Sequence, residues 1–331
     1  MTLLGAIAST GATPQQSAPP VDPEAASVPY LMPGRPPFNA PVKMPMRVVS
    51  NSPDLCTHPS VWDFGPGRKW NGYRYWMAVT DYGGQHLGEN PNIQASNDAF
   101  NFAPPPGLVN PIWTVATQNA AAGTTPLAAD PGQRWNSDTE LQYDESTDRL
   151  VCFWREMAEG STGPERLWSS SSKDGVTWEK PVIRLDTQAG AGTSMSMLSP
   201  GIVKVGETDW RMFCPSFSPT VRTAPSMYGP WSPPAPIKLP KPAWHWAVVY
   251  HDGIFYAAGG DPLMGYTSRD GLKWSASLLL DKGSWDKAFY RPCLRAHPDG
   301  EHFRVWYSVQ SDNWWLGYTV IPRSAWPKPP A

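Results

Sequence analysis

A single turn, written into this chain four times, restricts its fold more than any other feature. Its full form is Ser-x-Asp-Gly-x-x-Trp. It is complete at Ser172-Lys-Asp174-Gly175-Val-Thr-Trp178 and at Ser268-Arg-Asp270-Gly271-Leu-Lys-Trp274. A weaker copy is Ser96-Asn-Asp98-Ala99-Phe-Asn-Phe102, and a degenerate one is Ser226-Met-Tyr-Gly229-Pro-Trp231. Asp and Gly supply the tight turn of a hairpin, because Asp bonds its own backbone and Gly accepts a positive φ. The aromatic then starts the next strand and packs against its neighbours. One copy means little, but aligned copies mean a repeated supersecondary unit.

A second marker, a turn followed by an aromatic-rich strand, lies upstream of each copy. It occurs at Asn71-Gly-Tyr-Arg-Tyr-Trp-Met-Ala78, Asp148-Arg-Leu-Val-Cys-Phe-Trp154, Asp209-Trp-Arg-Met-Phe-Cys214, Asp252-Gly-Ile-Phe-Tyr-Ala257 and Gly300-Glu-His-Phe-Arg-Val-Trp-Tyr307. A short apolar strand precedes each, beginning near His58, Asp138, Ser199, His245 and Arg291. Each unit therefore reads as four strands, and five such units make an all-β, five-bladed β-propeller over residues 43–331. The first strands are spaced by 80, 61, 46 and 46 residues, so the early blades carry insertions, chiefly Ala103 to Arg134. A strand near Met46-Arg-Val-Val49 is expected to complete the last blade. No window sustains a 3.6-residue period with caps, so helices are expected to be nearly absent.

Composition agrees with this reading. Pro is 39 of 331 residues and Trp is 18; average Pro usage is about 5%. Pro belongs in turns and at strand edges, and Trp favours strands. Charged residues are only 17%, with a net charge of -2. That excludes the electrostatic footprint of nucleic-acid binding and gives no polybasic patch for lipid. The four Cys form no Cys-x-x-Cys pair, so they read as buried thiols, with a Cys56–Cys293 disulfide left open. Residues 1–42, rich in Pro and Ala, read as an extended or disordered arm with Tyr30, Leu31, Met32 and Phe38 as anchors. No signal peptide and no membrane span is expected.

The units resemble the five-bladed propellers of glycoside hydrolase families 43, 32 and 68, and are still more similar to propeller modules of phage tail and receptor-binding proteins. The phrases that carry the resemblance are His58-Pro-Ser-Val, Asn71-Gly-Tyr-Arg-Tyr-Trp-Met-Ala, Glu89-Asn-Pro-Asn-Ile-Gln-Ala-Ser-Asn-Asp and Asn136-Ser-Asp-Thr-Glu-Leu-Gln-Tyr-Asp. The resemblance implies a minor tail protein of an actinobacterial phage, located in the virion. It would dock to other tail proteins through residues 1–42 and recognise a host-surface glycan, without nucleic acid or membrane insertion. A homo-oligomer is compatible with this, since such proteins are often trimers or rings.

The glycosidase families imply a testable site: an Asp from the first blade, an Asp from the second and a Glu from the third, all facing the funnel. Here the first position is His58, the second is Asp138, and the third is Ser199, with Glu207 the nearest Glu. Loss of two acids implies a non-catalytic protein. The alternatives are a glycosidase using Asp138, Glu140 and Glu89 in a shifted arrangement, and a purely structural spacer. Candidate ligand-binding residues are His58, Glu89, Asp138, Glu140, Trp244, His245 and Arg291. Strand alternation places Asp138 and Glu140 on one face. His58 and His245 are read as neighbours on blades 1 and 5, and Arg291 is expected to bind an anionic glycan group or to pair with Asp138 or Glu89. The reading includes no metal and no cofactor.

Overall fold

The computed structural model describes residues 42–44, 56–82, 89–130, 134–158, 163–187, 197–216, 218–281, 287–310 and 314–331. The strands fall into five antiparallel sheets, each one blade. Blade 1 comprises β2 (Cys56–Asp63), β3 (Tyr75–Asp81) and β4 (Pro91–Ser96), extended by a bridge from Ala95 to Ala103. Blade 2 comprises β5 (Arg134–Asp144), β6 (Arg149–Ala158), β7 (Glu165–Ser172) and β8 (Val182–Asp186). Blade 3 holds β9 (Gly201–Lys204), β10 (Trp210–Cys214), β11 (Thr220–Ala224) and β12 (Ala235–Pro236). Blade 4 holds β13 (Trp246–His251), β14 (Ile254–Gly259), β15 (Leu263–Ser268) and β16 (Ser275–Leu280).

Blade 5 is closed by both ends of the chain. Its strands β17 (Ala288–Ala296), β18 (His302–Gln310) and β19 (Trp314–Pro322) are joined by β1 (Val42–Lys43), which pairs Val42 with Tyr318 and Lys43 with Gly317. The closing strand is thus Val42–Lys43, not the expected Met46–Val49, which lies outside the described residues. The arm expected over residues 1–42 lies outside them too, except for Val42. Beyond β19, Trp326 is buried against blades 4 and 5 and donates its indole N–H to Ala257 O at 2.9 Å.

Apolar burial is distributed between blades. Five clusters of buried side chains lie at the five blade-to-blade contacts. Trp76 on β3, Trp154 on β6 and Trp306 on β18 are fully buried in two of these clusters. The second strands bury both faces, which is why they read as near-continuous apolar runs. This arrangement leaves the axis free to carry polar groups. Cys56 and Cys293 share one cluster but form no disulfide, and neither do Cys152 and Cys214.

The repeated turn proves to be an inter-blade staple. In blade 2, Asp174 Oδ1 accepts from Val176 N at 2.8 Å and Thr177 N at 2.7 Å, and Gly175 N donates to Ser172 Oγ at 2.8 Å. Blade 4 repeats the pattern with Leu272 N and Lys273 N on Asp270 and Gly271 N on Ser268. Each turn is pressed onto the second strand of the preceding blade: Gly175 onto Trp76, Gly271 onto Phe213, and Ala99, whose carbonyl takes the Trp306 N–H at 2.8 Å. Gly is needed at position 175 on two counts, a φ of +75° and the absence of room for a Cβ beside the Trp76 ring. Gly175→Ala should therefore lower stability by about 2–4 kcal/mol in urea unfolding, from left-handed strain plus overpacking. Gly67→Ala, with a φ of +70° but open space around it, carries only the strain.

These turns also set an acid limit. Part burial would raise the Asp174 and Asp270 carboxyls, but the backbone N–H bonds outweigh it and hold both below their ordinary value. Their stabilisation is complete above the unfolded-state value of about 4 and is lost as pH falls through the folded-state values. Asp174→Asn and Asp270→Asn should each flatten the fall in melting temperature recorded below about pH 4.

One helix, α1 (Val115–Ala122), interrupts the all-strand expectation inside the first insertion. It has only eight residues and no apolar stripe, so it leaves no periodic signal. Polar contacts dock it: Gln118 and Asn119 are buried, and their side-chain amides reach Glu156 at 3.3 and 3.1 Å.

Candidate active site

The five inner strands β2, β5, β9, β13 and β17 surround the axis. Near the start of each stands one residue of equivalent position: His58, Asp138, Ser199, His245 and Arg291. All five are between 0 and 2% exposed. Register shifts interrupt β2 between Thr57 and Ser60, β5 between Ser137 and Glu140, and β17 between Phe289 and Pro292. Such bulges re-aim side chains. His58 and Asp138 take φ values of 55° and 54° in these bulges, and Ser199 takes 43° just before β9, the left-handed region that His and Asp tolerate better than most residues.

Asp138 is the hub of this ring. Its Oδ1 accepts from Ser199 Oγ at 2.9 Å and lies 3.5 Å from His58 Nε2, 3.5 Å from His245 Nδ1 and 3.8 Å from Arg291 Nη1. Its Oδ2 faces Arg155 Nη2 at 2.8 Å, and Arg155 Nη1 also holds Glu165 at 2.8 Å. Burial alone would raise the Asp138 carboxyl. Arg155 overrides that, with help from the two histidines, and holds it well below the usual carboxylate range. Burial lowers both imidazoles, and Asp138 only partly offsets this, so His58 and His245 are neutral near pH 7.

The hydrogen-bond network assigns the His245 tautomer. The Ser199 hydroxyl gives its single proton to Asp138, so its short contact with His245 Nδ1 requires Nδ1–H as donor and leaves the lone pair on Nε2. His58 Nδ1 lies 2.7 Å from Thr80 Oγ1. Among the described residues neither buried Nε2 has a hydrogen-bond partner. One donor atom from each of His58, Asp138 and His245 lies within 4.8 Å of the other two. Two imidazole nitrogens and one carboxylate form a donor set suited to zinc or another divalent transition metal. The Thr80 hydroxyl on His58 Nδ1, the nitrogen opposite the one that faces Asp138, is the kind of outer contact that orients such a ligand.

The remaining candidates take separate places. His245 belongs to blade 4, not blade 5, and the two imidazoles meet across the axis with centroids 5.4 Å apart. Glu89 accepts a short hydrogen bond from Ser137 Oγ and lies 3.7 Å from His58 Nδ1. Burial pushes its carboxyl up to about 8, against the pull of Ser137. Glu140 is engaged internally, with Arg291 Nη2 at 3.0 Å, Gln142 Nε2 at 2.8 Å and Ser60 Oγ at 3.2 Å. Arg291 therefore pairs with Glu140, and at 3.8 Å with Asp138, rather than with Glu89. Trp244, which precedes β13, is half-buried beside His245, while Trp246 on β13 is fully buried.

Sequence reasoning missed Ser199 as a working group, Arg155 and Tyr290. Arg155 had a signal, a charge inside the apolar run Leu150–Met157. Tyr290 has none beyond its place before Arg291. It packs on His245 with centroids 3.9 Å apart and on Trp314 at 4.8 Å, forming an aromatic wall with Tyr82.

No protein-family model matches the chain. A 138-residue segment, 40% of the chain, is 33% identical to the A type blood N-acetyl-alpha-D-galactosamine deacetylase of Flavonifractor plautii. That match spans 16% of the curated relative's length. Among solved structures, an N-acetylgalactosamine deacetylase from F. plautii, in complex with blood group B trisaccharide, is similar with a TM-score of 0.70 and 22% identity. The likeness covers 86% of this chain and 95% of that one. The GH43 protein BlXynB from Bacillus licheniformis is similar with a TM-score of 0.57 and 13% identity, over 82% and 54% of the two chains. An exo-beta-1,3-galactanase from Clostridium thermocellum gives 0.56 and 12%, over 85% and 62%. The chain is thus a five-bladed propeller of the kind seen in GH43 glycoside hydrolases.

The expectation of a non-catalytic phage tail component is overturned, because the proteins this chain is similar to are enzymes. The likeness to tail propellers and the virion location find no support among them. Where the two acids are missing stand a nitrogen donor, His58, and a hydroxyl, Ser199, bonded to Asp138 and His245. Among the described residues no helix is long and apolar enough to cross a membrane.

Proposed function

We propose that this chain is a metal-dependent hydrolase that removes the N-acetyl group from an amino sugar of the N-acetylgalactosamine type. The observation that carries the reading is the convergence of His58, Asp138 and His245, all buried, with one donor atom of each within 4.8 Å of the other two. The relative's named activity supplies the substrate class. His58, Asp138 and His245 would hold a divalent ion, which when bound would supply Lewis acidity for an amide carbonyl and acidify water. Glu89, a carboxyl that exchanges its proton close to neutrality, takes a proton from water and returns it to the departing sugar amine. Ser199 fixes the His245 ring, and Arg155 keeps Asp138 anionic. Trp244 and Tyr290 pack beside His245, and Trp314 packs on Tyr290, so aromatic rings flank the centre.

Acetate release from N-acetylgalactosamine-terminated oligosaccharides tests this. Activity should vanish on dialysis against a chelator and return with zinc, cobalt, nickel or manganese. The paired substitution His58→Ala/His245→Ala should weaken zinc binding at least about 100-fold in titration calorimetry. Absence of acetate with all four metals would sink the reading.

A second reading, a glycoside hydrolase, is favoured by one observation. The Glu89 carboxyl is pushed up and the Asp138 carboxyl down, the separation expected of an acid and its partner base. It predicts reducing-sugar release from arabinan, xylan or arabinogalactan, insensitive to chelator and abolished by Glu89→Gln.

A further inference from the structure

The inner strands run away from the Asp138 ring, so residues four or five places further on reach the other end of the axial channel. At a strand's rise this is about 13–17 Å away. A cavity of about 670 Å³ opens there, within the range of roughly 300–1,000 Å³ typical of small-molecule sites. A layer of buried polar groups closes it off from the ring. Gln142, which lines the cavity, donates to Glu140 at 2.8 Å, and Glu140 is held from the other side by Arg291 at 3.0 Å.

Every blade contributes an aromatic ring to this cavity: Trp62, Tyr143, Trp210, Tyr250 and Phe303 in blade order. Trp62, Tyr143 and Tyr250 are only half-buried, so part of each ring stays uncovered. The polar groups between them are of both kinds. The Arg295 guanidinium lies 5.5 Å over the Trp62 ring, Lys204 lies 5.9 Å over Trp210, and Glu207 is exposed at the rim. Cations and carboxylates are interspersed, so the cavity is not built for an anion. Aromatic faces beside mixed donors and acceptors match a neutral sugar ring. Its C–H face is apolar, and each of its hydroxyls both donates and accepts. The concavity and volume fit a sugar residue better than the flat contact of a second protein.

We propose that this cavity is a second carbohydrate site, which takes a neutral pyranose residue at the end of the axial channel opposite the reaction centre. The site would hold a glycan while another part of it is processed. The inference does not depend on which reaction the His58–Asp138–His245 centre performs, and its test is made with that centre disabled.

The His58→Ala/His245→Ala variant is passed over immobilised mucin O-glycans, xylan, arabinan and arabinogalactan. Saturable binding to at least one of the four is expected. Adding Tyr250→Ala, or separately Trp62→Ala, should weaken that binding at least tenfold while the circular dichroism spectrum is retained. Should one of these two variants unfold, the other decides, with Arg295→Gln as a third. Binding to none of the four glycans overturns the proposal, as does binding that folded cavity variants retain in full. A dimer in light scattering that Tyr250→Ala dissociates, without glycan binding, also overturns it and gives the cavity to a second copy of the chain.

Discussion

Asp138→Asn should reduce acetate release on the order of 10³-fold and divalent-metal affinity at least about 10²-fold. Asn has the shape of Asp but neither its charge nor its second lone-pair-rich oxygen. The Asp138 carboxylate is also the one group touched by all four of its ring partners. Without it, Ser199 loses the acceptor that assigns its proton, and the His245 tautomer is no longer enforced. The substitution also leaves Arg155 and Arg291 facing a neutral amide, so stability should fall together with activity. Two measurements separate the effects. Urea unfolding at neutral pH reports the stability loss, and single-turnover rates taken well below the unfolding range report the chemistry. An Asp138→Asn protein that is folded, saturated with zinc and still active within about tenfold of the parent removes Asp138 from the site.

Arg155→Met should destabilise the protein by about 3–5 kcal/mol, the usual penalty for removing one partner of a buried ion pair. The side chain is buried on β6 and divides its guanidinium between Asp138 Oδ2 and Glu165 Oε1, both at 2.8 Å. Methionine fills similar space but leaves two carboxylates in a dry environment with weaker compensation. Arg149→Met offers the contrast. Its partner Glu179 is more than half exposed, and the pair should contribute no more than about 1 kcal/mol. The Arg155 effect has a pH signature. Asp138 is held below its ordinary value, so the stability it contributes is present above about pH 4 and is lost as pH falls through its folded-state value. The gap between parent and Arg155→Met should therefore narrow in acid. A gap that stays constant down to the acid transition would place the loss in packing rather than charge.

Much of the architecture was legible because propeller blades are assembled from local signals. The Ser-x-Asp-Gly turn is closed by hydrogen bonds that span at most three residues, so its chemistry survives in a short window of sequence. The second strands are buried on both faces and read as aromatic runs. The two markers together located every inner strand, and hence the five residues around the axis. The closing strand was misplaced because Val42–Lys43 is two residues long and pairs with Tyr318 and Gly317, far away in sequence. Helix α1 escaped notice because contacts with Glu156 hold it, rather than a periodic apolar face.

The chemistry of the site was only partly legible. The sequence names His58, Asp138, His245 and Arg291 as funnel residues, but it sets the histidines side by side and leaves Arg291 open between a ligand and a pairing with Asp138 or Glu89. The ring order sets His58 and His245 facing each other with Asp138 between them, and it turns Arg291 inward to Glu140. Ser199 was counted as a missing acid. Its role exists only through atoms contributed by Asp138 on β5 and His245 on the blade 4 side of the axis.

From residue order alone one could count the blades, place their turns and name the residue that heads each inner strand, since all of these depend on contacts within a few residues. Which of those residues meet, which nitrogen keeps its lone pair and which carboxyl holds its proton required the closed ring. These properties arise from burial and from charges on other blades, and no local pattern encodes a distance across the axis.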